Sequence, residues 1–419
     1  MENRLPRTGS DEMAFGLLSG ALAANPFPML AQMRSQGALV PLPLPIGAGH
    51  QTWMITRMED AVRVLKDQAH FTVNPTSIGM EDIFMANSVD ALSDPSDFLF
   101  RDAMISVDEP DHRRLRRLVS QAFTPRYIES LRPTIQHMAD ELLDAVQDQG
   151  QMDLVQDFAY PLPINVISEM LGVPHADQPQ LRVWSEALAR RMPGLGRRDE
   201  QSLAHIRAFA AYARQLVVEK RQHPANDLTS QLVQMKEAGD HLSEDELLSM
   251  ITLLIFAGHE TTSNLIGIGT LTLLDHPDQL AKLQADLSLV PAAVEELLRF
   301  NGPVTMGAAR FATEDLELAG QPINKGDVLL IALSSANRDE TQFTQPDELD
   351  IVRTLGRHIA FGQGIHICLG APLARLEGEI AFTTLLKRMP ALHLNVPREI
   401  ITWRLSSNVR GLTALPVAF

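Results

Sequence analysis

Cysteine is almost missing from this 419-residue chain, which has only Cys368. A lone cysteine excludes an intramolecular disulfide framework, a four-cysteine zinc site and an all-cysteine iron–sulfur cluster within the chain. It also fits a reducing compartment, and a cytoplasmic location is expected. Basic residues are in deficit: 36 Lys and Arg face 52 Asp and Glu, a formal charge of −16. General nucleic-acid binding needs a basic footprint, so that class is excluded. The first sixteen residues, MENRLPRTGSDEMAFG, hold no apolar stretch behind a basic cap, so neither signal peptide nor membrane anchor is expected. There is no internal repeat and no low-complexity segment. The longest apolar run, 251–274, could span a bilayer by length alone. However, Gly258-His259-Glu260-Thr261-Thr262-Ser263-Asn264 sits in its middle, and lipid would penalise that insertion heavily. A buried helix is predicted instead.

What is present reads as a globular chain, with 45% hydrophobic residues. Apolar spacing predicts helices over 60–66, 131–147 and 204–221. Strand signals are short. Residues 40–44 and 51–55 read as a hairpin across Gly47-Ala48-Gly49, and 328–333 as a strand after Lys325-Gly326-Asp327. The tail from Leu392 is strand-like again. The expectation is one unit over 1–419, mainly α, with small β portions near 40–57, 310–335 and 390–419.

The central run opens with a capping box, in which Ser243 caps and Glu246 reaches back. It closes before Asp275-His276-Pro277. Such a helix is long enough to cross the whole molecule. Its middle is odd. Gly258 weakens it by about 1 kcal/mol. Thr261 can bond back to the Ala257 carbonyl and bend it. Glu260 is a carboxylate in apolar company, so it is paired, wet or protonated. The bland reading is a solvated bend, and the chemical one is an acid–alcohol pair for proton delivery.

The cysteine lies in FGQGIHICLG, 361–370, just ahead of the helical pattern APLARLEGEIAFTTLLKRM. Two glycines allow left-handed turns and a close approach to something flat or bulky. The helix N-terminus favours thiolate over thiol. Three readings compete: an inert buried cysteine, a nucleophile with His366 as base, and an axial thiolate ligand to haem iron.

FGQGIHICLG resembles the haem-binding signature of the cytochrome P450 superfamily. Ala257-Gly258-His259-Glu260-Thr261 is similar to its oxygen-activation stretch. Glu296-Leu297-Leu298-Arg299, with Arg353, resembles its Glu-x-x-Arg triad. Asp111-His112-Arg113-Arg114-Leu115-Arg116 resembles its haem-contacting basic helix. These motifs keep the family's order and spacing from about residue 25 onward, and the short chain looks like the soluble bacterial members.

The resemblance implies the cytochrome P450 fold, with the long central helix crossing over haem b. Cys368 would be the iron ligand, screened by Phe361. His112, Arg116, Arg310 and His366 would hold the haem propionates, with Ala257 and Gly258 also at the cofactor. Glu260 and Thr261 would be catalytic, relaying protons to iron-bound dioxygen. The implied reaction is hydroxylation or epoxidation, one atom of O₂ entering a lipophilic organic substrate. A haem sensor without turnover and a peroxide-driven peroxygenase are the alternatives. The retained acid–alcohol pair favours O₂ and two electrons. No glycine-rich dinucleotide fingerprint follows a strand, so no fused reductase is expected. The electrons are expected from a separate ferredoxin and reductase or a flavoprotein. Arg113, Arg114 and Arg117 form a local basic cluster suited to steering an acidic partner. Pocket walls are expected near 75–101, 255–262, 304–308 and 406–409. Met306 and Gly307 would face the substrate.

Overall fold

A computed structural model describes residues 23–47, 49–80, 103–120, 123–189, 200–234, 242–354, 356–406 and 408–419. Helices dominate it, and the strands gather in small sheets. The first hairpin pairs Leu39–Gly47 with His50–Ile55, with Leu39 opposite Ile55 and Leu42 opposite Thr52. His50–Ile55 then runs parallel to Val328–Ile331, and Arg310–Ala312 and Phe71–Thr72 complete a five-stranded sheet. The expected strand over 328–333 stops at Ile331. Ala332 is the pivot. Its N–H still bonds to the Ile55 carbonyl, while its own carbonyl accepts from Ser335 and Ala336 and starts a short helix. The tail folds as predicted into strands. Trp403–Ser406 pairs with Val409–Leu412, and Pro416–Ala418 lies between Gln151–Asp153 and His393–Leu394.

The central helix is Glu244–Asp275, 32 residues and roughly 48 Å at 1.5 Å per residue. Both capping-box bonds form: the Glu246 N–H donates to Ser243 Oγ at 3.2 Å, and the Ser243 N–H donates to Glu246 Oε2 at 2.8 Å. Pro277 opens the next helix and ends this one. The helices Pro161–Leu171, Glu200–Gln222, Val290–Asn301 and Ala371–Arg388 all pack on it. Buried Leu248, Ile251, Ile255, Leu265, Ile266 and Leu271 anchor it, each contributing about 1.5–3 kcal/mol by leaving water. No helix among the described residues is long and apolar enough to cross a membrane.

A buried ion cluster fixes the Val290–Asn301 helix. Arg299 grips Glu296 with two bonds, Nε to Oε2 at 2.7 Å and Nη2 to Oε1 at 2.8 Å. Arg353 Nε joins Glu296 Oε1 at 3.2 Å. The Arg299 guanidinium also donates to the carbonyls of Asn337, Pro346 and Glu348. The resembled triad is therefore assembled, and in the interior.

Candidate functional site

The cysteine loop is shaped by two left-handed glycines, Gly362 at φ +71° and Gly364 at φ +75°. At Gly364 the close neighbour is protein: an added Cβ would lie 2.0 Å from the Leu65 carbonyl oxygen, at the end of the helix Met58–Lys66. That glycine seats the loop on the sheet side of the molecule, a different reason from the expected approach to a flat group. Gly364→Ala combines this clash with a left-handed backbone cost of about 1–2 kcal/mol. We expect it to lower the thermal midpoint by several degrees, and differential scanning calorimetry checks this.

The Cys368 N–H donates to the Phe361 carbonyl at 3.0 Å and closes the loop. The side chain of Cys368 is exposed, yet surrounding protein raises its thiol pKa. The N–H groups of Gly370 and Ala371, at the start of the Ala371–Arg388 helix, and the cations of Arg116 and Arg375 oppose that rise. Phe361 is held by Arg375, whose guanidinium lies 4.6 Å from the ring centroid. Arg375 grips Glu295 with bonds of 2.6 and 2.9 Å, and His358 Nε2 lies 3.2 Å from the same carboxylate. Burial pushes the Glu295 carboxyl up, but His358 and Arg375 outweigh it and hold it at about 2. Sequence reasoning missed Glu295, His358 and Arg375. The only available signal was their closeness in sequence to the two recognised motifs.

Four donors converge nearby. The ring of His112 is buried and stands edge-on to His366, centroids 4.4 Å apart. Neither His112 nitrogen has a hydrogen-bond partner, and burial, with His366 and Arg116, lowers its pKa to about 4. His366 Nε2 lies 3.8 Å from Asp108 Oδ1. Arg310 is 4% exposed, donates among the described residues to the Ala308 and Ala309 carbonyls, and is pushed down to about 10 by burial. Arg116 is half-buried, and the described residues give it no ion pair. Buried donors without acceptors are costly and call for a partner. A cofactor bearing two carboxylates fits this set, because guanidinium and imidazole bind carboxylate strongly. No group of three or more His, Cys, Asp or Glu side chains among the described residues could hold a bare metal ion.

On the central helix, Ala257 is exposed and Phe256, Gly258 and Thr261 are half-buried, amid an otherwise buried stretch. Thr261 Oγ1 donates to the Ala257 carbonyl at 3.0 Å, as its spacing predicts. At Gly258 an added Cβ would lie 3.1 Å from Ile167 Cγ1, so the missing side chain makes room for the helix Pro161–Leu171. Glu260 is buried and paired, with Arg404 Nη1 at 2.9 Å from its Oε1. His259 is structural. Its Nδ1 lies 2.7 Å from the Ile255 carbonyl oxygen and its Nε2 2.9 Å from Ser185 Oγ, and burial lowers its pKa to about 4.

Met306 packs beside the Met54–Ala332 cluster, and Gly307 donates its N–H to the Ile331 carbonyl at 2.9 Å. The expected walls 304–308 and 406–409 do meet: Val304 bridges Val409, and Asn408 Nδ2 donates to the Met306 carbonyl at 2.7 Å. The wall residues Ile83, Phe84, Met85, Phe98, Leu99 and Phe100 lie outside the described residues. The basic cluster also needs correction. Arg113 pairs with Glu109 at 2.8 Å, and Arg114 pairs with Glu246 at the start of the central helix. Those two charges are largely neutralised and make a weak steering patch.

The sequence profile described as Cytochrome P450 matches residues 164–392. The polyketide biosynthesis cytochrome P450 PksS of Bacillus subtilis is 44% identical over 94% of this chain and 96% of its own. Cytochrome P450 CYP107DY1 of Priestia megaterium is 47% identical over 88% and 89%. Among solved structures, PksS superposes with a TM-score of 0.86 at 43% identity, covering 95% of this chain and 97% of that one. Myxobacterial CYP267B1 in complex with myristic acid gives 0.87 at 40% identity, covering 96% and 98%. Motif order, loop geometry, fold and these alignments agree: the chain belongs to the cytochrome P450 family of haem-thiolate monooxygenases.

Proposed function

We propose that this enzyme inserts one atom of O₂ into a lipophilic organic molecule by hydroxylation or epoxidation. The second oxygen atom leaves as water, with two protons and two electrons. The observation that carries this reading is the partly exposed stretch 256–261 of the central helix, where an acid and an alcohol adjoin in sequence. The cofactor is haem b, whose thiolate-ligated iron would supply oxygen activation. Cys368 would hold its iron, with Phe361 and Arg375 packed around the loop. His112, Arg116, Arg310 and His366 would bind its carboxylates and so orient it. Thr261, half-buried, supplies the hydroxyl of the pair, which donates to the Ala257 carbonyl. Glu260 supplies protons to Thr261 from solvent. One cysteine cannot hold an iron–sulfur cluster, so the electrons come from a separate ferredoxin and reductase or a flavoprotein.

The printed names of the relatives bear on the substrate class. PksS is a polyketide biosynthesis enzyme, and CYP267B1 was crystallised with myristic acid. A polyketide-like or long-chain acyl substrate accords with the apolar residues near Met306, Gly307, Val304 and Val409. A titration of such compounds, reading the low-to-high spin shift of the haem, tests cofactor and pocket together. NADPH-dependent product formation with surrogate redox partners tests turnover, and spin shifts without product would leave only a binding protein. Thr261→Ala should keep full haem binding yet lose at least about tenfold in product per electron pair, with hydrogen peroxide released instead. Unaltered coupling would remove Thr261 from this role.

A further inference from the structure

A cavity of about 450 Å³ lies between the helix Phe27–Gln36, the end of the central helix and the strand Trp403–Ser406. Among the described residues, none that lines it belongs to the haem donors or to the substrate walls. Its volume falls within the range of small-molecule sites. We propose that this cavity is a second ligand site, one that takes an aromatic anion. Three of its walls are the rings of Phe27, Phe300 and Trp403. The Arg338 guanidinium lies 3.5 Å from the Phe27 ring centroid and 4.0 Å from that of Phe300. Two bonds to the Phe300 carbonyl and one to Asp347 Oδ1 hold it there. The side chain of Arg338 is 7% exposed and that of Asp347 64%, so water screens the acid far more than the cation.

A second cation stands one layer behind the wall. Arg410 is fully buried and donates to the carbonyls of Ala23 and Ala24 and to Asn301 Oδ1. Its guanidinium also lies 4.4 Å from the Trp403 ring centroid. Ala24, Asn301 and Trp403 all line the cavity. Among the described residues no carboxylate pairs with Arg410, and burial, with Arg338, lowers its pKa to about 9. At the rim Arg398 grips Asp275, Nε to Oδ1 at 2.9 Å and Nη2 to Oδ2 at 3.1 Å. Three guanidinium groups thus face two carboxylates, in a chain whose formal charge is −16. A buried cation without a counter-charge is costly, and an anion in the cavity offsets that cost. A bare inorganic anion would leave most of the space empty. A flat ring fills it, stacking on the aromatic walls and on guanidinium.

The test uses the haem-loaded enzyme with 4-phenylimidazole bound at the haem, so that the substrate pocket is filled. Into it is titrated 8-anilinonaphthalene-1-sulfonate, an aromatic sulfonate that fluoresces on leaving water. One saturable site with a Kd below about 100 μM is expected. Energy transfer from tryptophan to the probe should fall sharply in Trp403→Phe. N-phenyl-1-naphthylamine, the same ring system without the sulfonate, should bind at least about tenfold more weakly. Arg410→Met should weaken sulfonate binding by a similar factor. Arg410 is buried, so Ala31→Trp supplies a reading that leaves the interior intact. Ala31 is half-buried on the cavity wall, and the larger side chain should abolish binding with the thermal midpoint kept. Equal affinity for the neutral probe overturns the anion assignment. Unchanged binding by Ala31→Trp, or binding only in the millimolar range, overturns the site. Release of the sulfonate as the 4-phenylimidazole concentration rises would place it in the substrate pocket and overturn the site as well.

Discussion

Replacing Cys368 with alanine abolishes the reduced-CO absorption band from which the family takes its name, and product formation with it. No other sulfur ligand of this type exists in the chain. The Gly370 and Ala371 N–H groups and the Arg116 and Arg375 cations favour a negative charge on that sulfur. Serine is the sharper substitution. It retains the shape of the loop and the backbone bond to Phe361, but a hydroxyl is a far weaker acid than a thiol and offers no soft ligand. Far-ultraviolet circular dichroism of both variants should match the parent while the band disappears. A preserved band in either would sink the ligand assignment.

Arg299→Ala has an equally large effect on stability. Its guanidinium makes five hydrogen bonds, two to Glu296 and three to main-chain carbonyls. Both side chains of the pair are at most 1% exposed. Alanine leaves Glu296 to Arg353 and the Asp350 N–H, leaves the Glu348 carbonyl to Arg353, and strands the Asn337 and Pro346 carbonyls. Breaking a buried pair from one side costs about 3–5 kcal/mol. That is a large share of the roughly 5–15 kcal/mol by which a domain is stable. We expect a thermal midpoint lower by roughly 3–6 °C, or insoluble expression. Lysine should not rescue it, because an ammonium cannot reproduce a planar five-donor fork. A soluble alanine variant with the parent's midpoint would contradict this account.

Much of the site was legible because its signals are local. The capping box, the Thr261 back-bond, the glycine pair before Cys368 and the Glu296–Arg299 pair all lie within one turn or one loop. The misreadings concern partners far away in the chain. The room that Gly258 leaves is taken by Ile167, which lies on another helix. Arg113 and Arg114 looked like an open basic face, and nothing near them in sequence points to Glu246, which binds Arg114. Glu260 was expected to be paired, wet or protonated, and only the folded chain shows that Arg404 is the partner. Charge pairing across long separations depends on which elements meet, and apolar periodicity does not encode that.

The donors His112, Arg116, Arg310 and His366, with Cys368, come from segments strung along most of the chain. Closing such long loops costs entropy before any contact repays it. A cofactor held by all of them acts as a late cross-link. It binds only where these segments have already met, so it stabilises the native state by mass action. Unfolding midpoints should then rise with added free haem. Supply of haem during expression, more than the rate of chain synthesis, should govern the yield of this protein.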